Sequence, residues 1–309
     1  MKNLVPKSGR VSILITNYNY EKYLREAIDS ALAQKYPDIE VIVVDDGSTD
    51  RSRNVIQSYG ERIRAVYQEN GGQSKAFNSG FEASTGEFIF FLDADDVFSQ
   101  EKVYQVVKLF EQEPEIGFVF HAVEKFNSSS GLVEGRTPLQ IEGIVNEKKS
   151  LRHRGKPKIF LPPTSAFCFR RDCLNKIFPM PESSGIGISD KYLGILALSI
   201  SSGYYSNKMY ARLRLHGSNL YSGEGRNYSK IYSIGLETAV RIFERDQTLW
   251  KYSVKLLARA EATRMAHLLS EDGHACGKPD FLNKLTRYRK FYYYCYIFPL
   301  YLKRKLRFS

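Results

Sequence analysis

Apolar residues over the first 126 positions follow two alternating rhythms. Short runs rich in β-branched or aromatic residues ("RVSILIT", "IEVIVV", "IRAVYQ", "EFIFFL", "IGFVFHAV") alternate with longer stretches whose apolar positions recur every three to four residues. In "EKYLREAIDSALAQKYPD", Tyr23, Leu24, Ala27, Ile28, Ala31 and Leu32 form one helical stripe, which Pro37 and Asp38 end. Val103, Val106, Val107 and Phe110 form another in "QEKVYQVVKLFEQEP", with Ser99 placed to cap it. "RSRNVIQSYG" and the glycine-entered "GGQSKAFNSGFEAS" predict two further helices. The run at 39–44 is almost continuously apolar, as suits a strand buried on both faces of a parallel sheet, and the run at 88–92 is read the same way. This β-α-β-α order over about residues 11–126 predicts an α/β sheet with crossover helices.

Beyond residue 127 the pattern weakens into a Ser/Gly loop, the basic stretch "KKSLRHRGKPK" and "IFLPPTSAFCFRRDCL". From about 224 the periodicity is helical again, in "SKIYSIGLETAVRIFE" and "TLWKYSVKLLARAEATRMAHLL". The change of pattern puts a boundary near 220, between an expected catalytic domain (1–220) and a helical extension (221–309).

Hydrophobic residues make up 43% of the 309, enough for a proper core. The four cysteines show no CxxC spacing and no accompanying histidine cluster, so they read as reduced thiols rather than zinc ligands. No apolar leader is evident at the start, and no run approaches the ~18 residues of a membrane span. The expected location is cytoplasmic, either free or peripheral on the cytoplasmic face of the membrane.

The net charge of +11 is concentrated late: from Tyr228 onward 16 Lys/Arg face 7 Asp/Glu, and no acidic residue follows Asp280. In residues 287–309, "RYRKFYYYCYIFPLYLKRKLRFS", an aromatic and aliphatic centre too short to span a bilayer is flanked by cations. Such a segment suits an anionic membrane surface, while packing on the body of the protein or on a dimer face is the alternative. Nothing else in the chain supports a nucleic-acid partner.

Two strand-like runs end in acidic clusters, Asp45-Asp46 and Asp93-Ala94-Asp95-Asp96. In open α/β sheets ligands bind beyond the carboxyl ends of the strands, so both clusters are expected to open onto one sheet edge. Crowded carboxylates repel a diphosphate unless a divalent cation joins them, with carboxylate oxygens on one side and phosphate oxygens on the other. The DxD of Asp93 and Asp95 fits that task, as a strand-end turn that merely collects aspartates would also look. A phospho-accepting receiver domain also gathers aspartates around Mg²⁺, but its acidic pair follows the first strand; here a strand and a helix come first.

"VSILITNYNYEKYL", "IEVIVVDDGSTD", "NGGQSKAFNSGFEASTGEFIFFLDADD" and the later "SDKYL" resemble, in this order, the motifs of family 2 glycosyltransferases, over about residues 10–220. The resemblance implies a GT-A fold: an α/β, Rossmann-like mixed sheet flanked by helices, here with a helical C-terminal extension. It also implies an inverting, metal-dependent transfer from a nucleotide-diphospho-sugar. On that resemblance Thr16 and Tyr18 line the nucleotide pocket and Asp46 accepts a hydrogen bond from the base, the N3–H of a uracil if the donor is UDP-linked. Lys75 and Asn78 approach the ribose, diphosphate or sugar; Asp93 faces the ribose or sugar; and Asp95 holds Mn²⁺ or Mg²⁺. Asp96 is open between a site role and capping the next helix, and Asp45 between a site role and a capping turn. Thr16 stands where the family usually has proline. Phe77 stands at the arginine of the common "ARNxG", which leaves Lys75 to substitute for its phosphate contact.

The same resemblance makes Asp190 the general base that takes the acceptor hydroxyl's proton, although an Asp before a helix is also an ordinary N-cap, and Ser189 replaces the usual Glu. In "RLRLHGSNLYSG", Arg214 and His216 are similar to groups that reach the diphosphate or the metal. Thr164 and Ser165 of "PPTSAF" lie on the acceptor side with no assigned role. The expected acceptor is a glycan or lipid-linked glycan of surface-polysaccharide synthesis. A catalytically inactive sugar-nucleotide or glycan binding protein of the same fold is the alternative.

Overall fold

The computed structural model describes residues 9–137, 141–182, 190–217, 228–268 and Tyr293. The boundary near 220, Ser189, Cys276, Cys295 and the tail 287–309 other than Tyr293 lie outside the described residues. The chain divides into two compact units, Met1–Glu147 with Ile159–Ser222, and Lys148–Lys158 with Gly223–Ser309.

The first unit opens with β1 (Val11–Asn17), α1 (Glu21–Leu32), β2 (Ile39–Asp46), α2 (Ser52–Gln57), β3 (Arg64–Gln68) and α3 (Gln73–Ala83). It continues with β4 (Phe88–Asp93), β5 (Val97–Phe98), α4 (Lys102–Gln112) and β6 (Ile116–Asn127). After β7 (Val133–Arg136) and β8 (Gly143–Val145), the chain leaves for α5 (Lys148–Arg154), which belongs to the second unit. The first unit resumes with β9 (Phe167–Arg170), α6 (Arg171–Leu174), α7 (Asp190–Ile200) and β10 (Ser202–Leu215).

These strands form one sheet in the order β3-β2-β1-β4-β9-β6-β10-β5, with β7 on β6 and β8 on β10. β1 to β4 are mutually parallel, and β9 runs antiparallel between β4 and β6. Every residue of β1 is buried, as are the last six of β2, because helices cover both faces. Val11, Ile13 and Ile15 meet the apolar stripes of α1 and α4 on one face. On the other face lies α3, close enough that a Cβ on Gly80 would sit 3.3 Å from Val44 Cγ2.

The sequence pattern missed β9 and β10. β9 is four residues long, and its apolar character merges with the preceding Pro-rich turn. β10 mixes polar and apolar positions and shifts register near Ser206–Met209, so no clean alternation survives. Ser99 does not cap α4 through its side chain; its carbonyl instead accepts from the Lys102 amide at 3.1 Å. The start of α2 is served by Asp50, which accepts from the Ser52 amide at 2.9 Å, rather than by Asp45 or Asp46.

In the second unit α8 (Tyr228–Arg245) packs on α9 (Trp250–Leu268), and α9 also holds α5. The Lys251 ammonium donates to the His153 carbonyl at 2.9 Å, and that of Lys255 to the Arg154 carbonyl, closing the C-terminus of α5. Tyr232 and Arg264 both donate to the buried Glu261, at 3.0 and 2.9 Å. Tyr293 is buried. No helix among the described residues is long and apolar enough to cross a membrane.

Candidate active site

The connections from β1 to β2 to β3 step one way across the sheet, and β4 returns to the opposite side of β1. The crevice at such a reversal is where an open α/β sheet receives a ligand. Its two lips are paired in register, Thr16 of β1 opposite Asp93 of β4. Beyond them lie Tyr18, 46% exposed in the loop after β1, and the turn Asp93–Asp96.

The first acidic pair divides its work. Asp45 is fully buried and accepts from Asn17 Nδ2 at 3.0 Å and Arg53 Nε at 3.2 Å, so it ties β1 to α2. Asp46 shapes the entrance to α3. Its Oδ1 accepts from Gln68 Nε2 at 2.6 Å and the Gly71 amide at 2.9 Å, and its Oδ2 from the Gly72 amide at 2.8 Å. A carboxylate offers about four acceptor positions, so one remains, on Oδ2. Glycine is required here twice: Gly72 adopts φ 82°, and Gly47 adopts φ 75° with Asn70 N only 2.7 Å from where a Cβ would lie.

The second cluster is clasped from three directions. Its turn closes through the Asp96 amide, which donates to the Asp93 carbonyl at 3.0 Å. From the 3₁₀ turn Thr164–Ala166, Thr164 hydrogen-bonds the Asp93 side chain. Ser165 Oγ accepts from the Asp93 amide at 3.1 Å and donates to Asp96 Oδ2 at 2.6 Å. From α3, Gln73 Nε2 donates to Asp93 Oδ1 at 3.1 Å. From β10, the Arg214 amide donates to Asp96 Oδ1 at 2.9 Å, and its Nε to the Asp95 carbonyl at 2.8 Å.

His216, just past β10, places Nε2 2.9 Å from Asp95 Oδ2. Its ring stacks on Tyr23 at 4.9 Å and meets the edge of Tyr20 at 5.9 Å. Arg214, its side chain 7% exposed, spends its guanidinium on Glu26 and on the faces of Tyr23 and Phe126. That placement suits a strut for the turn.

Electrostatics match this crowding. Desolvation, and then the charges of Asp96, Asp95 and Asp190, push the Asp93 carboxyl well above its ordinary range. Asp190, at the first position of α7, thus acts on the same cluster. Burial and then Asp95 push Asp96 up to about 8, against the opposing pull of Ser165 and Arg214. Burial and the three aspartates also raise the Tyr20 phenol.

Burial and the neighbouring Asp95 thus lift Asp96 from an ordinary 3.8 to about 8 on folding. Between those values the unfolded state releases a proton that the folded state retains. Stability in the presence of a chelator therefore falls as pH rises from about 4 to about 8. Asp93 is raised in the same direction, so Asp96→Asn reduces that slope without abolishing it; thermal midpoints across the window in EDTA are the check, and an unchanged slope rules out the raised Asp96 carboxyl.

Two further expected residues lie on α3. Lys75 lies against Gly71, where a Cβ would come within 2.1 Å of Lys75 Cδ. Asn78 binds Met180 through both amide atoms, at 2.9 and 2.7 Å, and Glu182 at 3.1 Å. Sequence reading missed Gln73 and Lys102 and gave Ser165 no role. Lys102 did leave a signal, since it stands four and eight residues before Val106 and Phe110 on the buried stripe of α4.

Among the described residues no group of three or more His, Cys, Asp or Glu forms a metal cage. The Asp95–His216 pair supplies one carboxylate and one imidazole side by side in a wall of carboxylates. That donor set fits a hard divalent cation that takes few protein ligands and completes its shell on phosphate oxygens and water.

A mixed, helix-covered sheet with an acidic turn at its switch point is the GT-A architecture. A crystal structure of S. aureus TarS in complex with UDP-GlcNAc is similar with a TM-score of 0.63 at 18% identity, covering 97% of this chain and 91% of that one. A mannosyltransferase from Pyrobaculum calidifontis in complex with GDP-Man and Mn²⁺ is similar with a TM-score of 0.52 at 18% identity, covering 97% and 88%. Residues 12–178 match the family described as Glycosyl transferase family 2, and the chain belongs to that family. An uncharacterized glycosyltransferase of Nostoc sp. is 39% identical over 175 residues, 55% of this chain and 54% of that relative, so the match spans about half of the relative's length.

Proposed function

We propose that the chain is an inverting, metal-dependent glycosyltransferase that moves a sugar from a nucleotide-diphospho-sugar, UDP-linked in the favoured reading, to an acceptor hydroxyl. The observation that carries this reading is the meeting of Asp95 and His216, from separate strand ends, beside a carboxyl group that also feels Asp190. Thr16, Tyr18 and the remaining Oδ2 position of Asp46 receive the nucleoside, and Lys75 lies towards the diphosphate. Asp93 faces the ribose or sugar, with Thr164 and Gln73 orienting its carboxylate.

Asp95 and His216 hold Mn²⁺ or Mg²⁺, which when bound offsets the negative charge building on the departing diphosphate. Asp190 accepts the proton of the acceptor hydroxyl as its oxygen attacks the anomeric carbon, opposite the breaking bond to the diphosphate; this in-line attack inverts the configuration. Arg214 keeps the Asp95–Asp96 turn in place while its charge remains within the cluster. The catalytic machinery lies within residues 1–220, with 221–309 as an extension. Its basic segment 287–309 suits the anionic surface from which a lipid-linked glycan acceptor would be served, on the cytoplasmic face. UDP-GlcNAc in TarS favours a UDP donor, and GDP-Man in the Pyrobaculum enzyme makes GDP the competitor.

Calorimetric titration of UDP, GDP and dTDP, each with Mn²⁺, Mg²⁺ or EDTA, tests the proposal. The expected result is binding of UDP with metal and none in EDTA. Folded protein that binds none of the three would sink the donor-site assignment.

A further inference from the structure

Outside the acidic cluster, the least expected group in the first unit is the ammonium of Lys102, which is completely buried at the start of α4. Its position on the α4 stripe is one that methionine or leucine would fill without the desolvation cost of a cation. Nζ makes one hydrogen bond, to the Ser165 carbonyl at 2.7 Å, and sits 3.4 Å from the centre of the Phe98 ring. The partner is informative. Ser165 is also fully buried, and its hydroxyl joins the Asp93 amide to the Asp96 carboxylate. Asp96 in turn holds the Arg214 amide, and Arg214 holds the Asp95 carbonyl.

We infer that Lys102 is a positioning residue for the donor site, acting through Ser165 to fix the spacing of Asp93, Asp95 and Asp96. The inference rests on the function proposed above and adds a residue that touches neither nucleotide nor metal. The 3₁₀ turn at 164–166 is three residues long and buried, and Lys102 adds a bond from α4 to its backbone at the very residue whose hydroxyl meets the acidic turn. With the Lys102 bond in place, the Ser165 hydroxyl stands where it can accept from one backbone amide and donate to one carboxylate. Without it, the turn is free to tilt, and both bonds lengthen together. The displacement would pass through Asp96 to the end of β10, where His216 meets Asp95. A mere core filler predicts none of this, because its loss would lower stability without singling out the acidic turn.

Lys102→Met keeps length and removes the charge and its bond; Ser165→Ala keeps the carbonyl and removes the hydroxyl. Each is expected to weaken UDP binding in Mn²⁺ by about 10- to 100-fold, as loss of an outer partner does at metal sites. The double variant should bind within about twofold of the weaker single one, because both act through the same hydroxyl. Amide hydrogen exchange, measured without nucleotide or metal, should quicken at residues 93–96 in both variants and stay unchanged in β1 and β2.

Additive losses, or wild-type affinity together with wild-type exchange in Lys102→Met, would overturn the inference. If the wild-type protein binds no nucleotide, the donor-site reading fails by itself, and the exchange experiment still decides the role of Lys102. Should Lys102→Met not fold, Lys102→Gln decides, since it removes the charge and shortens the reach to the Ser165 carbonyl: unchanged protection at 93–96 defeats the inference, and local loss supports it.

Discussion

Asp190→Asn is expected to lower transfer about 10²- to 10⁴-fold, the usual contribution of a general base, while nucleotide binding persists. The substitution is a narrow one. Asp190 Oδ1 accepts from the Lys191 amide at 2.6 Å, a bond that an asparagine carbonyl oxygen reproduces, so the start of α7 keeps its local support. The amide cannot take a proton from an attacking hydroxyl. The change also removes one of the charges that raise Asp93, so the cluster loses some attraction for a cation and some repulsion of the diphosphate, and nucleotide affinity is expected to change far less than turnover. Single-turnover transfer to a glycan acceptor, alongside calorimetry with UDP and Mn²⁺, separates the two effects. Unimpaired turnover would move the base elsewhere and leave Asp190 as a first-turn carboxylate that supports the start of α7.

Removing Asp95 should have the opposite signature. In Asp95→Ala the carboxylate partner of His216 is gone, and metal-dependent nucleotide binding is expected to weaken by more than the roughly 100-fold that loss of an outer partner can cost a metal site. The backbone has reason to stay, since Arg214 Nε binds the Asp95 carbonyl and not its side chain. Because Asp95 is also among the charges that raise Asp93 and Asp96, its loss relieves repulsion in the metal-free protein. The thermal midpoint in EDTA should therefore hold or rise while affinity collapses. A variant that binds UDP with Mn²⁺ as well as wild type would exclude Asp95 as a ligand. A lower midpoint in EDTA would show that the Asp95–His216 contact serves the fold.

The acidic clusters were legible because strand and turn chemistry are local. A nearly continuous apolar run can bury both faces, and aspartates at its end have nowhere to go but the sheet edge. The roles of their neighbours were less legible. Asp45 and Asp46 are adjacent, yet one ties β1 to α2 and the other builds the entrance to α3, a difference set by strand alternation and by partners 8 to 28 residues away. Arg214 is assigned to the diphosphate by the family resemblance alone; its contacts with Glu26, Tyr23 and Phe126 come from distant parts of the chain that no local pattern announces. Ser165 sits in an unremarkable "PPTSAF", and only the antiparallel insertion of β9 between β4 and β6 carries it beneath the acidic turn.

By itself the sequence determined the β-α alternation, the helical stripes, the acidic strand ends and the family to which their order points. Each follows from contacts within a few residues, or from backbone preferences a short window contains. Tertiary structure decided the return of β4 to the far side of β1, the insertion of β9, the descent of β10 to bring His216 to Asp95, and the transfer of α5 to the second unit. Those pairings join residues up to about 120 positions apart. They depend on burying whole faces together and on satisfying charges that no local segment could satisfy alone.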